Sequence, residues 1–593
     1  MPGRCGRGWY TLPRMIRRMM EQARAPLWQY AILIVVLLLL GVFLVYPVVL
    51  MVKGGLASDV ASGSGFTLRH VRAVFEDPIQ VRALTNSALI AATTTTLCVM
   101  IALPLAVLSA GYRFPGKKFF NAAILVPMIL PPFVGAIGVR AILGREGAVS
   151  ALLGADIDIL GEAKFWGVVG VQALSLYPII FLNATASLAN LDPALDEAAE
   201  NLGASWGRRF RRITMPLIRP GLFAGATIVF IWSFTELGTP LMFDYYDAAP
   251  VRIFWGLKEV ETSAEPYALT LVMLASAIVI YGLGKFVFGG RGHAMYSKAS
   301  RAGGEREMGP RARWAATGAF ALVLGLAVTP HLGVVLSSVA APGQWYRSAV
   351  PTAFTASHYQ QALSAPDAFG SIVNSLKLSA AAMTLDLALG VTIAYLIVRT
   401  RIVGRGLLDA LCMMPLAVPG LVMAFGYVAM SVRWPFGKEG PLGDLASVMS
   451  PDPNPVPFLI VAYAVRRLPY IVRSAVAGLE QTSGELEEAA INLGSSRLYA
   501  VRRVILPLIA ANLIAGGLLV FSFSMLEVSD SLLLAQQPED YPFTRAIFAF
   551  SERLGDGPYI ASAMGVWGMA LLTVTLFAAS SLLGKKLGSI FRV

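Results

Sequence analysis

The sequence predicts an all-α integral membrane protein made of two parallel, homologous six-helix units. Three observations carry that prediction. Of 593 residues, 56% are hydrophobic and 14% charged, with a mean hydropathy of +0.65. The apolar residues fall in blocks long enough to cross a hydrocarbon core of roughly 30 Å, which takes about 20 helical residues. The second half of the chain repeats the first. Soluble domains carry roughly 25% charged residues, so composition excludes ordinary cytosolic enzymes, nucleic-acid binders and disordered scaffolds. Cys5, Cys98 and Cys412 are too few for a disulfide framework. His70, His293, His331 and His358 lack zinc or haem spacing, and no intrinsic metal centre is expected.

Twelve windows read as spans. The first six are Trp28 to Val52, Leu84 to Gly111, Phe119 to Leu143, Phe165 to Leu188, Pro220 to Phe243 and Tyr267 to Phe288. The second six are Ala315 to Ser337, Ile372 to Val398, Leu407 to Val432, Phe458 to Leu479, Ala510 to Ala535 and Tyr559 to Leu583. The first window exceeds a signal-peptide core of roughly 7 to 15 residues and is read as a retained span. An even number of spans returns both termini to one side. Charge says which side. The tail 1–27 holds six Arg and one Glu, and together with 110–118, 189–219, 289–314, 399–406, 480–508 and 584–593 it carries +18 of a net +12, leaving −6 elsewhere. This is the positive-inside pattern, and it predicts cytoplasmic termini and a cytoplasmic connector.

The repeat has an offset of 288 residues that changes to 291. Phe66-Thr67 answers Phe354-Thr355, Asn86-Ser87 answers Asn374-Ser375, and Pro127 and Pro131 answer Pro415 and Pro419. After a three-residue insertion Pro178 answers Pro469 and Glu197 answers Glu488. The halves are therefore parallel duplicates, residues 28–288 and 315–593, joined by a Gly-rich, charged linker over 289–314.

The strongest signal is a loop repeated between the fourth and fifth spans, over 189–219 and 480–508. Its copies read EAAENLGASWGRRFRRITMPLI from Glu197 and EAAINLGSSRLYAVRRVILPLI from Glu488. Each predicts two short helices joined at a glycine. Asp192 can cap a helix that starts at Pro193, and Thr482 with Glu485 has capping-box spacing. Gly203 and Gly494 are placed to end those helices in the left-handed conformation. Ala198, Ala199, Ala489 and Ala490 leave a small surface that another protein can approach closely. Pro216 and Pro507 are expected to end the segment that follows. Arg208, Arg209, Arg211, Arg212, Arg502 and Arg503 suit either lipid phosphates or a partner protein.

This loop resembles the EAA motif of bacterial binding-protein-dependent ABC importer permeases. Only Met215 and Val504 depart from the family pattern, both conservatively. The resemblance covers nearly the whole chain and implies the type I importer permease fold. It further implies that the two loops form coupling helices on two copies of a separate ABC ATPase, with Glu197, Ala198, Ala199 and Gly203, and Glu488, Ala489, Ala490 and Gly494, at the contact. A periplasmic or lipid-anchored solute-binding protein is the implied partner on the other face, in a bacterial inner membrane. ATP and Mg would belong to the ATPase. This chain has no GxxxxGK[ST] phosphate loop, so it is not expected to be an enzyme or to hold a cofactor. The single-chain tandem form looks most like the permeases of ferric-iron importers, with thiamine, phosphonate and sugar-phosphate systems close behind.

Ionisable residues inside spans point to function or to internal pairing. Ser233-Phe234-Thr235-Glu236 aligns with Ser524-Met525-Leu526-Glu527. In related importers the fifth span lines the route, so Ser233, Glu236, Ser524, Glu527 and Asp530 are translocation-pathway candidates. The other reading is that each Glu marks the wet outer end of its span. Asp386, Lys377, Arg466 and Arg467 have no charged equivalents in the first half and are read as internal pairing or as an asymmetric ligand contact. Pro127, Pro131, Pro132, Pro415 and Pro419 should break or kink the third and ninth spans. Asn86 and Asn374 read as outer caps. A secondary transporter with two parallel six-span halves is the alternative function; it would need no coupling loop at either position.

Overall fold

The computed structural model describes residues 26–59, 63–128, 131–145, 147–154, 159–288, 306–437 and 440–583. The basic tail up to Ala25, residues 289–305 of the linker, the segment 584–593, Cys5 and His293 lie outside the described residues. Among the described residues nine helices are long and apolar enough to cross a membrane, and two bent helix pairs raise the number to eleven. The twelfth expected span is the helix Val456–Glu480, whose Arg466, Arg467 and Arg473 lower its apolar character. All twelve windows are therefore helical; they differ in continuity.

The third and ninth spans are broken, as their prolines predict. Lys117–Met128 meets Pro132–Leu153 at 95°, and Arg405–Ala417 meets Gly420–Ser431 at 103°. Proline has no amide hydrogen and its ring crowds the carbonyl four residues back, so a helix does not run smoothly through such clusters. The fifth and eleventh spans depart from expectation at both ends. They start earlier, as continuous helices Trp206–Phe234 and Arg497–Met525. They also stop sooner, and the short helices Gly238–Met242 and Ser529–Leu534 follow. Pro216 and Pro507 thus end nothing. Each follows a π-helical turn, Phe210–Thr214 or Val501–Ile505, and such a turn takes up the misfit that proline makes with the preceding turn.

The halves grip one another through their first helices. The span Leu27–Leu56 packs against Gly420–Ser431 of the other half, and Pro310–Val339 packs against Pro132–Leu143. Both crossings are made at glycine. A Cβ at Gly138 would stand 2.2 Å from the Pro330 carbonyl oxygen, and one at Gly426 2.8 Å from the Pro47 carbonyl oxygen. Those positions are 288 residues apart, so the crossing is itself part of the repeat. Asn86 and Asn374 are not caps. Their amides donate to the carbonyls of Asp247 at 2.9 Å and Glu539 at 2.8 Å, and the neighbouring Ser87 and Ser375 hydroxyls accept from the Ala249 and Phe543 amides. These bonds fasten the second span of each half to the segment after its fifth.

Candidate functional site

Each copy of the loop forms the first of its two expected short helices and turns at the glycine, but the second is no separate helix: it is the start of the continuous span Trp206–Phe234 or Arg497–Met525. Pro193–Asn201 begins at the cap Asp192, whose carboxylate accepts from the Ala194 amide at 3.0 Å. The second copy is Glu485–Asn492, and there the Ser483 hydroxyl, not Thr482, accepts from the Glu485 amide at 3.2 Å. Thr482 is taken by Arg399 instead, at 2.8 Å. Gly203 and Gly494 turn the chain at φ +78° and +93°, a conformation in which an L side chain is crowded by its own carbonyl. Glu197, Ala198, Gly203, Glu488, Ala489 and Gly494 are exposed, with Ala199 and Ala490 half-buried. Beside them Leu202 and Leu493 are each 88% exposed, and Trp206, Leu498 and Tyr499 also face outward.

Each loop is braced by ion pairs that the spacing did not reveal, the first within itself and to the linker, the second to its own half. Arg209 is only 6% exposed and lies 3.0 Å from Asp196 and 3.1 Å from Glu200, so it is an internal brace and not a free surface cation. Arg306 reaches the same two carboxylates at 3.1 and 2.9 Å. It arrives there because Arg306–Glu307 pairs in parallel with Tyr112–Arg113 at the end of the second span. Under this arrangement lies a cavity of about 210 Å³ bounded by Gly111, Leu188, Asp196, Trp206, Phe210 and Arg306. In the second half Glu487 answers Asp196. It accepts from the Tyr395 hydroxyl at 2.5 Å, and Arg399 stands 4.0 Å away.

The fifth-span candidates divide sharply between the halves. The Ser233 hydroxyl donates to Gln172, and the Glu236 carboxylate accepts from the Thr239 amide at 2.8 Å. Glu236 is half-buried and has no cationic partner among the described residues. The buried Ser524 hydroxyl has no hydrogen-bond partner among the described residues. Glu527 is 4% exposed and pairs with Arg467 and, at 3.2 Å, with Arg466. Asp530 lies 3.6 Å from the same Arg466 guanidinium. Hence Glu527 is not the wet end of a span, and Arg466 and Arg467 are internally paired. Asp386 does not fit that reading: it is 1% exposed and neither of its oxygens has a hydrogen-bond partner. Lys377 is exposed.

The two Glu-bearing turns meet where the halves meet. A Cβ at Gly238 would stand 2.7 Å from Phe133 and 3.2 Å from Val528, the residue after Glu527. The room for Arg466 likewise comes from a glycine, since a Cβ at Gly420 would lie 1.9 Å from its guanidinium.

Two six-helix halves with matching loops, bent third spans and facing fifth-span turns define a multi-pass transport protein. The chain belongs to the family described as binding-protein-dependent transport system inner membrane component, which matches residues 102–293 and 386–587. It is 26% identical over 521 residues to the putative ferric transport system permease protein FbpB 1 of Haemophilus influenzae, covering 85% of this chain and 77% of that protein. It is also 26% identical over 561 residues to the ferric transport system permease protein FbpB of Actinobacillus pleuropneumoniae, covering 92% and 77%. The molybdenum transport system permease protein ModB of Mycobacterium tuberculosis is 31% identical over 219 residues, which is 36% of this chain and 81% of that protein. The chain is thus an inner-membrane ABC importer permease, a class that works with an ATPase and a solute-binding protein.

Proposed function

We propose that this chain is the fused permease of an ATP-driven ferric-iron importer. Its two transmembrane domains, 28–288 and 315–593, form one pseudo-two-fold pathway. Both termini, the linker 289–314 and the loops 189–219 and 480–508 face the cytoplasm. One ATPase copy seats under each loop, and a periplasmic or lipid-anchored binding protein delivers cargo to the opposite face. ATP and Mg act on the ATPase, and this chain catalyses nothing by itself. The carrying observation is that both loops present a carboxylate, alanines and a leucine that is 88% exposed on a helix braced from behind. Apolar side chains left in water at two equivalent places favour a protein partner. Glu197 and Glu488 meet polar or basic groups of that partner, and Gly203 and Gly494 make the turn. The iron assignment is supported by the names of relatives that align with most of the chain.

ATP binding would favour one arrangement of the ATPase pair, and the loops would pass that preference to the spans as a difference in affinity between two states. The test is reconstitution of the chain with its ATPase and binding protein in proteoliposomes. Uptake of radiolabelled ferric iron should require ATP. Uptake driven by an ion gradient with ATP absent would refute the assignment in favour of a secondary transporter. Glu197→Ala with Glu488→Ala should lower recovery of the ATPase with the tagged permease, and unchanged recovery would remove these residues from the contact.

A further inference from the structure

The repeat makes Glu236 and Glu527 equivalent in sequence, yet their surroundings give them opposite roles. At the 291-residue offset, Gln172, Ser175, Leu176 and Thr239 of the first half correspond to Tyr463, Arg466, Arg467 and Asp530 of the second. Every substitution in that set adds a charge or an aromatic hydroxyl to the second half only. There, two guanidiniums neutralise Glu527, and that of Arg466 also lies 3.6 Å from Asp530. Tyr463 bonds Ser531 at 2.6 Å, and the Thr544 hydroxyl donates to the Glu527 carbonyl. The charge of Glu527 is thus balanced from within, although neither Asp530 oxygen has a hydrogen-bond partner among the described residues. In the first half Oε2 of Glu236 takes the Thr239 amide at 2.8 Å, the Gly238 amide and the Gln172 and Thr239 side chains are its other polar neighbours, and no cation of the described residues reaches it.

From these contacts we infer that Glu236 alone of the two is a cation-binding residue of the pathway, with Glu527 serving as an internal counter-ion. This inference rests on the reading of the fifth spans as the route. A half-buried carboxylate that is hydrogen-bonded but has no counter-ion attracts a passing cation more strongly than it would in water, because the surrounding medium has a low dielectric. Its position suits an entry point. The helix Trp206–Phe234 starts at the loop and runs 29 residues, which at about 1.5 Å per residue crosses the membrane, so Glu236 lies at the end remote from the loop. Its turn touches the facing turn through Gly238 and Val528, which puts the carboxylate beside the seam between halves.

The test uses the full complex in proteoliposomes, with ferric citrate carrying radioactive iron as probe. Glu236→Gln should lower the initial uptake rate at least tenfold with complex recovery unchanged, and Glu236→Asp should restore most of it. Uptake by Glu236→Gln within twofold of the parent would overturn the inference. So would loss of assembled complex in Glu236→Gln, which would make the carboxylate a structural group. The underlying route is tested separately. In a chain in which Cys5, Cys98 and Cys412 are replaced by serine, Glu236→Cys should react with a charged, membrane-impermeant thiol reagent, and protection from that reagent would refute the route itself. Reaction at 236 together with normal uptake by Glu236→Gln would refute only the cation contact.

Discussion

Arg466 stands 3.2 Å from Glu527 and 3.6 Å from Asp530, so one guanidinium on the tenth span ties together the two sides of the break after the eleventh. Arg467 closes the group on Glu527. Such a group does not add much stability over apolar replacements, but removing Arg467 leaves Glu527 and Asp530 to share one guanidinium away from water, a loss bounded by the roughly 3–5 kcal/mol of breaking a buried pair outright. Arg467→Ala should therefore lower the melting temperature of the detergent-solubilised chain clearly. The double variant Arg467→Met, Glu527→Leu should recover most of the loss. Equal melting of parent and Arg467→Ala would show that the group carries no net pairing energy.

Gly420 supplies the space for that guanidinium, since a Cβ there would lie 1.9 Å from it. Gly420→Ala is expected to displace Arg466 and to reproduce the destabilisation of Arg466→Ala. Gly370, with nothing within 4 Å of its Cβ position, is the control. A Gly420→Ala variant that melts with Gly370→Ala and the parent would contradict this packing.

How much of this was readable in advance depends on whether a feature is local. Asp192, Pro193, Gly203 and Gly494 act on their own few residues, so spacing alone set the loop helices, and the prolines set the breaks in the third and ninth spans. Arg466 and Arg467 stood out because charge inside a span is rare, but nothing in the spacing pairs them with Glu527, 60 residues on. Arg209 looked like its neighbours Arg208 and Arg211, and only folding separates a residue that is 6% exposed from two that face water. The crossings at Gly138 and Gly426 were invisible for a related reason: their demand for a missing side chain comes from the other half of the molecule.

Arg209 and Arg306 brace the same two carboxylates from different depths, and their removal should be felt differently. Arg209 is 6% exposed and Arg306 40%. A pair with that much exposure contributes about 0–1 kcal/mol and is screened by salt. Arg209→Ala should speed amide hydrogen exchange across residues 193–201 at any ionic strength. Arg306→Ala should do so at low salt and converge with the parent at high salt. Identical exchange in both variants at low salt would remove the depth argument.

Gly203 and Gly494 hold φ values of +78° and +93°, and an L side chain there costs roughly 1–2 kcal/mol. Nothing lies within 4 Å of either Cβ position, so alanine meets conformational strain and no clash. If the loops seat in the ATPase in this shape, Gly203→Ala and Gly494→Ala should each weaken ATPase binding by about tenfold, since roughly 1.4 kcal/mol corresponds to that factor. The folded permease itself should remain intact. Titration of the solubilised permease with ATPase decides this, and parental affinity in both variants would mean that docking does not depend on the turn.

The crossings at Gly138 and Gly426 join the halves, and they set the most severe test of the paired architecture. At Gly138 a Cβ would meet the Pro330 oxygen at 2.2 Å and the Val334 amide at 2.6 Å, and at Gly426 it would meet the Pro47 oxygen at 2.8 Å. All of these are backbone or ring atoms of helices packed on several sides, so they cannot rotate away as a side-chain tip can. Close backbone approach at small residues is also the main source of helix association in a bilayer, where no hydrophobic force draws two apolar helices together. Gly138→Leu or Gly426→Leu should therefore push the first helix of one half off the third span of the other. The expected readout is loss of a monodisperse peak on size exclusion and rapid trypsin cleavage in the linker, with Gly318→Leu, whose Cβ position is open, behaving as the parent. Parental behaviour of the Gly138 variant would mean that the first helices do not cross between the halves.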